Sequence, residues 1–277
     1  MTADAEPIGL WLCSVCAAEL ARALSLLEDP ATDRDVMVHE TRKAVRRVRA
    51  WLRLCDEDTR QQLAPFDAEL KALRQMLGPL RDAESKLIAV DHLLVDPGSR
   101  AHRVGLRRWR RELVAARDRR WLRMPPGGRA LTRLAKGLRL AIEHVKALPL
   151  EALSEDDLHR AWRESFRRAC RGARRCRGEL DAERRHAWRG KLRVFLLQAQ
   201  LLQERSPHAA VDQLKALTER LGLEHDHALL AQAAIRARSF EREARASLRQ
   251  YLEEHRLALI EKNDRKARKL LRKSAAP

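Results

Sequence analysis

The chain is written twice. "LKALRQMLGPLRD" (Leu70–Asp82) returns 144 residues later as "LKALTERLGLEHD" (Leu214–Asp226), with seven of thirteen positions identical. Upstream, "HETRKAVR" (His39–Arg46) returns 147 residues later as "HAWRGKLR" (His186–Arg193), and both read H-x-x-R-x-x-x-R. Leucine-rich composition alone does not produce two ordered matches at nearly one offset, so the fold is expected to have two similar halves. The join falls in "KALPLEALSEDD". Residues 1–150 are expected to form one helical bundle and residues 151–277 a second, together making one unit.

Each half is expected to be helical. Only 11 Gly and 10 Pro occur in 277 residues, and Ala, Leu, Arg and Glu dominate, which places the chain in the all-α class. The expected helical segments run over about 8–28, 35–57, 64–95, 100–123, 129–147, 155–180, 182–205, 208–234 and 236–272. Breaks fall at "EDPATDRD", "DPGSR" and "MPPGGR", where helix-breaking residues gather. Ser154 reads as an N-cap with Asp157 three positions on.

On a helix, His39, Arg42, Lys43, Arg46, Arg49 and Arg53 fall within an arc of about 120°. Val38, Thr41, Ala44, Val45, Val48, Trp51, Leu52 and Cys55 fill the other side. The apolar face suits a bundle core, and the basic stripe runs along the outside for about four turns. A solvated stripe normally mixes signs to relieve repulsion. The arc holds no carboxylate, so an external counter-anion is expected to meet it. Net charge points the same way, at +18 with 46 Arg among 57 basic residues. Arginine's planar fork suits phosphate oxygens, although codon usage also produces such a bias. The second stripe is thinner: Gly190 stands at the place of Lys43 and Leu196 at that of Arg49. In the third segment Lys71, Arg74 and Arg81 share a face if the helix continues past Gly78, and Pro79 predicts a kink or break there. Gly78 and Gly222 would allow a close approach by a phosphate, a backbone or a neighbouring helix.

Five cysteines at irregular spacings argue against a disulfide framework, and Cys13 and Cys16 read as buried thiols rather than a metal or redox pair. No apolar run is expected to span a membrane. The acidic leading segment is unlike a signal peptide, so a cytoplasmic location is expected.

The paired motifs, with L-G-x-x-R-D in one copy and L-G-x-x-H-D in the other, resemble those of the conserved histidine α-helical domain family, CHAD, over about residues 8–272. The resemblance implies two four-helix bundles related by a pseudo-twofold axis, with basic residues and histidines facing a central groove or pore. It implies inorganic polyphosphate as the ligand and association with polyphosphate granules. The binding set it implies is His39, Arg42, Arg46, Arg49, His186, Arg189, Lys191, Arg193, Arg81 and His225. The stripe and third segment add Lys43, Arg53, Lys71 and Arg74. No catalytic residue, metal or cofactor is assigned, and the E-x-E-x-K strand of triphosphatase-fused members is missing: "EREAR" (Glu241–Arg245) lacks the lysine.

Two rival readings stand. His186, His225-Asp226 and Asp264 occur in the order of an H…HD…D metal phosphohydrolase, but Arg81 at the place of His225 would repel a metal. Non-specific nucleic-acid binding would use the same charge, and with one Tyr and four Phe the chain has few platforms for stacking bases.

Overall fold

The computed structural model describes residues 6–203 and 211–273. The expected helix ends at 205 and 208, and the outermost ends of the two halves, lie outside the described residues. Within them the chain forms eleven α-helices and no strand. The first half holds α1 (Ile8–Glu28), α2 (Arg34–Trp51), the short α3 (Glu57–Gln62), α4 (Ala64–Met76), α5 (Gly78–Val95), α6 (Arg103–Arg123) and α7 (Arg129–Lys146). The second holds α8 (Glu155–Arg175), α9 (Ala182–Leu201), α10 (Val211–Ala234) and α11 (Arg242–Lys273).

Local chemistry sets the boundaries. Asp33 caps α2 by accepting from the backbone N–H of Asp35 and Val36, each at 3.0 Å. Ser154 and Asp157 form the expected capping box at the start of α8: Ser154 Oγ accepts from Asp157 N at 3.2 Å, and Asp157 Oδ2 accepts from Ser154 N at 3.3 Å. The segment expected over 64–95 breaks at Leu77, with Pro79 in the first turn of α5, because proline cannot extend the preceding helical hydrogen bonds. Its counterpart α10 carries Leu223 there and runs through unbroken. The first half also breaks at "MPPGGR" between α6 and α7, whereas α11 is one 32-residue helix.

In the first half, α1 packs between α2 and α7, and α4 closes the bundle against α2 and α7. In the second, α9 packs between α8 and α10, and α11 lies along α10 and reaches α8. One apolar core runs through both bundles, from Leu12, Leu20 and Phe66 to Trp188, Phe195 and Leu214. A second core joins the α5–α6 hairpin to α10 and α11, with Trp109 and Phe240 edge to face at 5.9 Å. The two halves are therefore buried against each other at two places.

The main crossing, between α2 and α9, is reciprocal. Trp51 Nε1 donates to the Leu197 carbonyl at 3.1 Å, and Gln198 Nε2 donates to the Ala50 carbonyl at 2.8 Å. Trp51 and Gln198 are repeat equivalents, as are Ala50 and Leu197. Residue i meets j while the equivalent of j meets the equivalent of i, which is the signature of a twofold contact.

The helix α1 corrects one expectation. Among the described residues it alone is long and apolar enough, by length and composition, to cross a membrane, with a mean hydropathy of 1.6. Here its Leu12, Cys13, Cys16 and Leu20 are buried in the core. All five cysteines are free, and only Cys170 is partly exposed.

Candidate functional site: a cationic cavity between the two halves

Between the two cores α2, α4, α5, α9 and α10 surround a cavity of about 910 Å³, with Arg60 of α3 and Arg168 of α8 at its edge. Twelve of the fourteen expected binding residues line it: His39, Arg42, Arg46, Arg49, Arg53, Arg74, Arg81, His186, Arg189, Lys191, Arg193 and His225. Two do not. Lys43 turns aside to Glu40, Nζ to Oε1 at 3.1 Å. Lys71 is exposed on α4 outside the lining; three residues before Arg74 on the same helix, it lies about 60° further round the face and only Arg74 reaches the cavity.

The basic stripe is not wholly uncompensated, as its sequence suggested. Beyond the Lys43–Glu40 pair, Arg49 forms a two-pronged pair with Asp67, Nε to Oδ1 and Nη2 to Oδ2, both at 2.7 Å. The carboxylates come from outside the arc, one from the next residue and one from α4. Cations without such partners lie deeper. Arg46 is pushed down to about 9 by burial and then by Arg193, Arg74, Arg42 and Arg189 around it. Arg193 is pushed down to about 10 by burial and Arg189, with Asp226 opposing. Both stay charged at neutral pH, held in a like-charged cluster whose repulsion an anion would relieve.

The repeat places its motif residues in matching roles. Arg42 lies over Gly78 and Arg189 over Gly222: a Cβ on either glycine would find the arginine guanidinium at 3.8 Å and 2.7 Å respectively. Gly222 thus makes room for its motif arginine, whereas Gly78 leaves ordinary contact distance to Arg42. Arg42 Nη1 donates to the Arg74 carbonyl at 2.6 Å. Asp82 and Asp226 sit beside Arg42 and Arg189 and oppose the lowering of their proton affinity. His39 lies beside Arg81. At the equivalent place His186 lies against His225, ring centroids 4.1 Å apart and the planes tilted by 31°.

Among the buried polar atoms without a hydrogen-bond partner, four belong to the cavity: Nε of Arg42, Arg74 and Arg189, and Nδ1 of His225. Buried polar groups are normally satisfied, so these leave the cavity with unused hydrogen-bonding capacity. Burial first, then His186, Arg189 and Arg193, lower His225 to about 4. Burial and neighbouring arginines also lower His39 and His186. Burial raises Asp226.

The cavity also takes residues not foreseen. Arg60 sits on the unexpected helix α3, and Lys86 lies one turn beyond Asp82, a spacing that could have revealed it. Arg168 is the one arginine of "FRRACRGARRCR" that reaches the cavity. The first half supplies eight lining Lys and Arg and the second four, matching the thinner second stripe.

The H…HD…D set does not come together. Asp264 accepts from Gly178 N at 2.8 Å and from Arg185 Nη2 at 3.1 Å, outside the cavity holding His186, His225 and Asp226. Among the described residues no group of three or more His, Cys, Asp or Glu is arranged to hold a metal.

A family model described as the CHAD domain matches residues 16–235. The fold is similar to the crystal structure of the CHAD domain from the plant Ricinus communis, at 17% identity and a TM-score of 0.61, over 96% of this chain and 91% of that one. It is also similar to PptA from Streptomyces chartreusis, at 18% identity and a TM-score of 0.64, over 97% and 99% of the two chains. No curated protein matches the chain.

Proposed function

The chain belongs to the CHAD domain family, and from that premise we propose that it binds inorganic polyphosphate in the cavity between its halves, as a binding protein rather than an enzyme. The observation that carries the reading is the lining: twelve Lys and Arg against two carboxylates, Asp82 and Asp226, with buried arginine Nε groups lacking acceptors. A chain of phosphates supplies one anion after another at short, regular intervals. It gains from the release of its counterions as nucleic acid does, and arginine forks suit its oxygens. The lining has no Trp, Tyr or Phe, so it offers single-stranded nucleic acid no surface on which to stack bases. Weak, salt-sensitive attraction to nucleic acid is expected from the net charge alone. Polyphosphate granules in the cytoplasm are the location this reading proposes.

The test is binding of purified protein to long-chain polyphosphate at near-physiological salt, with duplex DNA, single-stranded RNA and tripolyphosphate as competitors. A His39→Ala/Arg42→Ala/Arg46→Ala variant is measured beside it. Polyphosphate is expected to win, and the variant to lose it while staying helical. Equal competition by nucleic acid with an unaffected variant would reduce the cavity to a general polyanion surface. Orthophosphate released from the bound chain would overturn the non-enzymatic part.

A further inference from the structure

The two halves of the cavity differ at one matched position. Beside His39 the first half places Arg81; beside His186 the second places His225, its repeat equivalent. His39 also has a carboxylate at hand, with Glu40 Oε1 3.7 Å from its Nε2, whereas the residue equivalent to Glu40 is Ala187. The second half thus holds two adjacent imidazoles, ring centroids 4.1 Å apart and planes tilted by 31°, with no carboxylate paired to either ring. His225 Nδ1 is buried and has no hydrogen-bond partner.

The charged groups around the pair are mostly cationic. Arg189 and Arg193 of α9 lie beside both rings. From α5, Arg81 approaches Arg193 and Asp226. From α2, Arg46 faces Arg193. Asp226, next to His225, is engaged electrostatically with Arg189.

We propose that the His186–His225 pair makes anion binding in the second half proton-coupled, so that a phosphate chain entering the cavity brings a proton onto the imidazoles, where the first half offers Arg81, already charged, in place of the second ring. This rests on the polyphosphate reading and adds its regulation. Without an anion, a proton on either ring meets Arg189 and Arg193, and on His225 the other imidazole as well, which disfavours it. A phosphate chain offsets those arginines and gives the orphaned nitrogen an acceptor, and both changes favour the imidazolium. By linkage, each proton taken up tightens binding roughly tenfold for each unit fall in pH, within the window between the empty and occupied proton affinities. That window opens upward from about 4 for His225.

The experiment is isothermal titration of a linear polyphosphate of defined length into the protein near pH 6.5, in two buffers of different ionisation heat. The wild type is expected to take up about one proton per chain bound, and to lose affinity as pH rises. His225→Arg installs the residue the first half uses; whatever its absolute affinity, most of the proton uptake and of the pH dependence of binding is expected to be gone. Polyphosphate binding with no proton exchange, or equal uptake in His225→Arg, would overturn the proposal and leave the binding function standing. No binding at any pH would remove both. Should His225→Arg fail to fold, histidine NMR of the wild type decides instead: the proton affinity of the His225 ring must rise by a unit or more on adding polyphosphate, and an unmoved titration refutes the coupling.

Discussion

Nη2 of Arg189 lies 2.7 Å from where a Cβ on Gly222 would stand, inside the distance real Cβ atoms keep, whereas Arg42 Nη1 clears the same point on Gly78 by 3.8 Å. A methyl group on Gly222 must therefore push the guanidinium away, and one on Gly78 need not. The displaced group is the free end of a flexible side chain, and alanine is favoured over glycine within a helix by up to about 1 kcal/mol. Gly222→Ala is thus expected to fold with unchanged or higher stability and to bind polyphosphate several-fold more weakly. Gly78→Ala should bind as the parent does. Thermal unfolding and affinity measured on both proteins check this; a Gly222→Ala protein of undiminished affinity would contradict it.

That glycine shows how far the sequence could be read. The repeat was legible in two matches at nearly one offset and the all-α class in composition, while the two-faced H-x-x-R-x-x-x-R helix followed from periodicity, one face apolar and the other basic. Arg42, Arg46, Arg189 and Arg193 could be placed on a shared surface for that reason. The partners of the stripe could not be foreseen. Asp67, which neutralises Arg49, lies one helix on, and pairing across helices depends on packing that no single-helix periodicity encodes. Lys71 was misplaced because sharing a broad helix face with Arg74 does not say which side chain on that face reaches the cavity. Arg60 lies on a six-residue helix too short to show a period.

Arg46 sits among Arg42, Arg74, Arg189 and Arg193 with no carboxylate paired to it, so the empty cavity is strained by its own charge. Replacing a buried, unpaired charge with an apolar side chain of similar volume removes both its desolvation cost and the repulsion from its like-charged neighbours. Arg46→Met is accordingly expected to raise the denaturant midpoint of the free protein while weakening polyphosphate binding at least tenfold. The salt dependence of the remaining binding should flatten, since fewer phosphate charges are neutralised. A variant less stable than the parent would show that Arg46 holds the fold together instead.

The depressed proton affinity of His225 predicts acid sensitivity in the free protein. Its folded value is about 4 against an ordinary 6.5, so as pH falls below 6.5 the unfolded chain binds a proton that the folded chain refuses. The stability from keeping His225 neutral is complete above about pH 6.5 and is lost as pH falls through 4. Chemical denaturation at steps across that range should show the loss, and His225→Phe should lessen it. An equal slope in both proteins would assign the acid sensitivity to other groups.

The last prediction concerns a place where the halves solve one packing problem differently. In the second half Arg185 is 2% exposed and pairs with the buried Glu224, Nη2 to Oε2 at 2.9 Å, while Asn263 donates to the same Oε2 at 2.9 Å. The equivalents in the first half are Val38 and Leu80, both buried and apolar. Arg185→Val alone strands the Glu224 carboxylate and is expected to cost about 3–5 kcal/mol. Arg185→Val with Glu224→Leu installs the first half's apolar pair. Asp264 keeps the Gly178 N–H and Asn263 keeps Arg220 Nε at 3.0 Å, so most of that loss should be recovered. Neither residue lines the cavity, so the double variant is expected to bind polyphosphate as the parent does. Urea unfolding of the two singles and the double measures the coupling directly. A double variant no more stable than Arg185→Val would mean that the second half has repacked around its ion pair and no longer accepts the first half's solution.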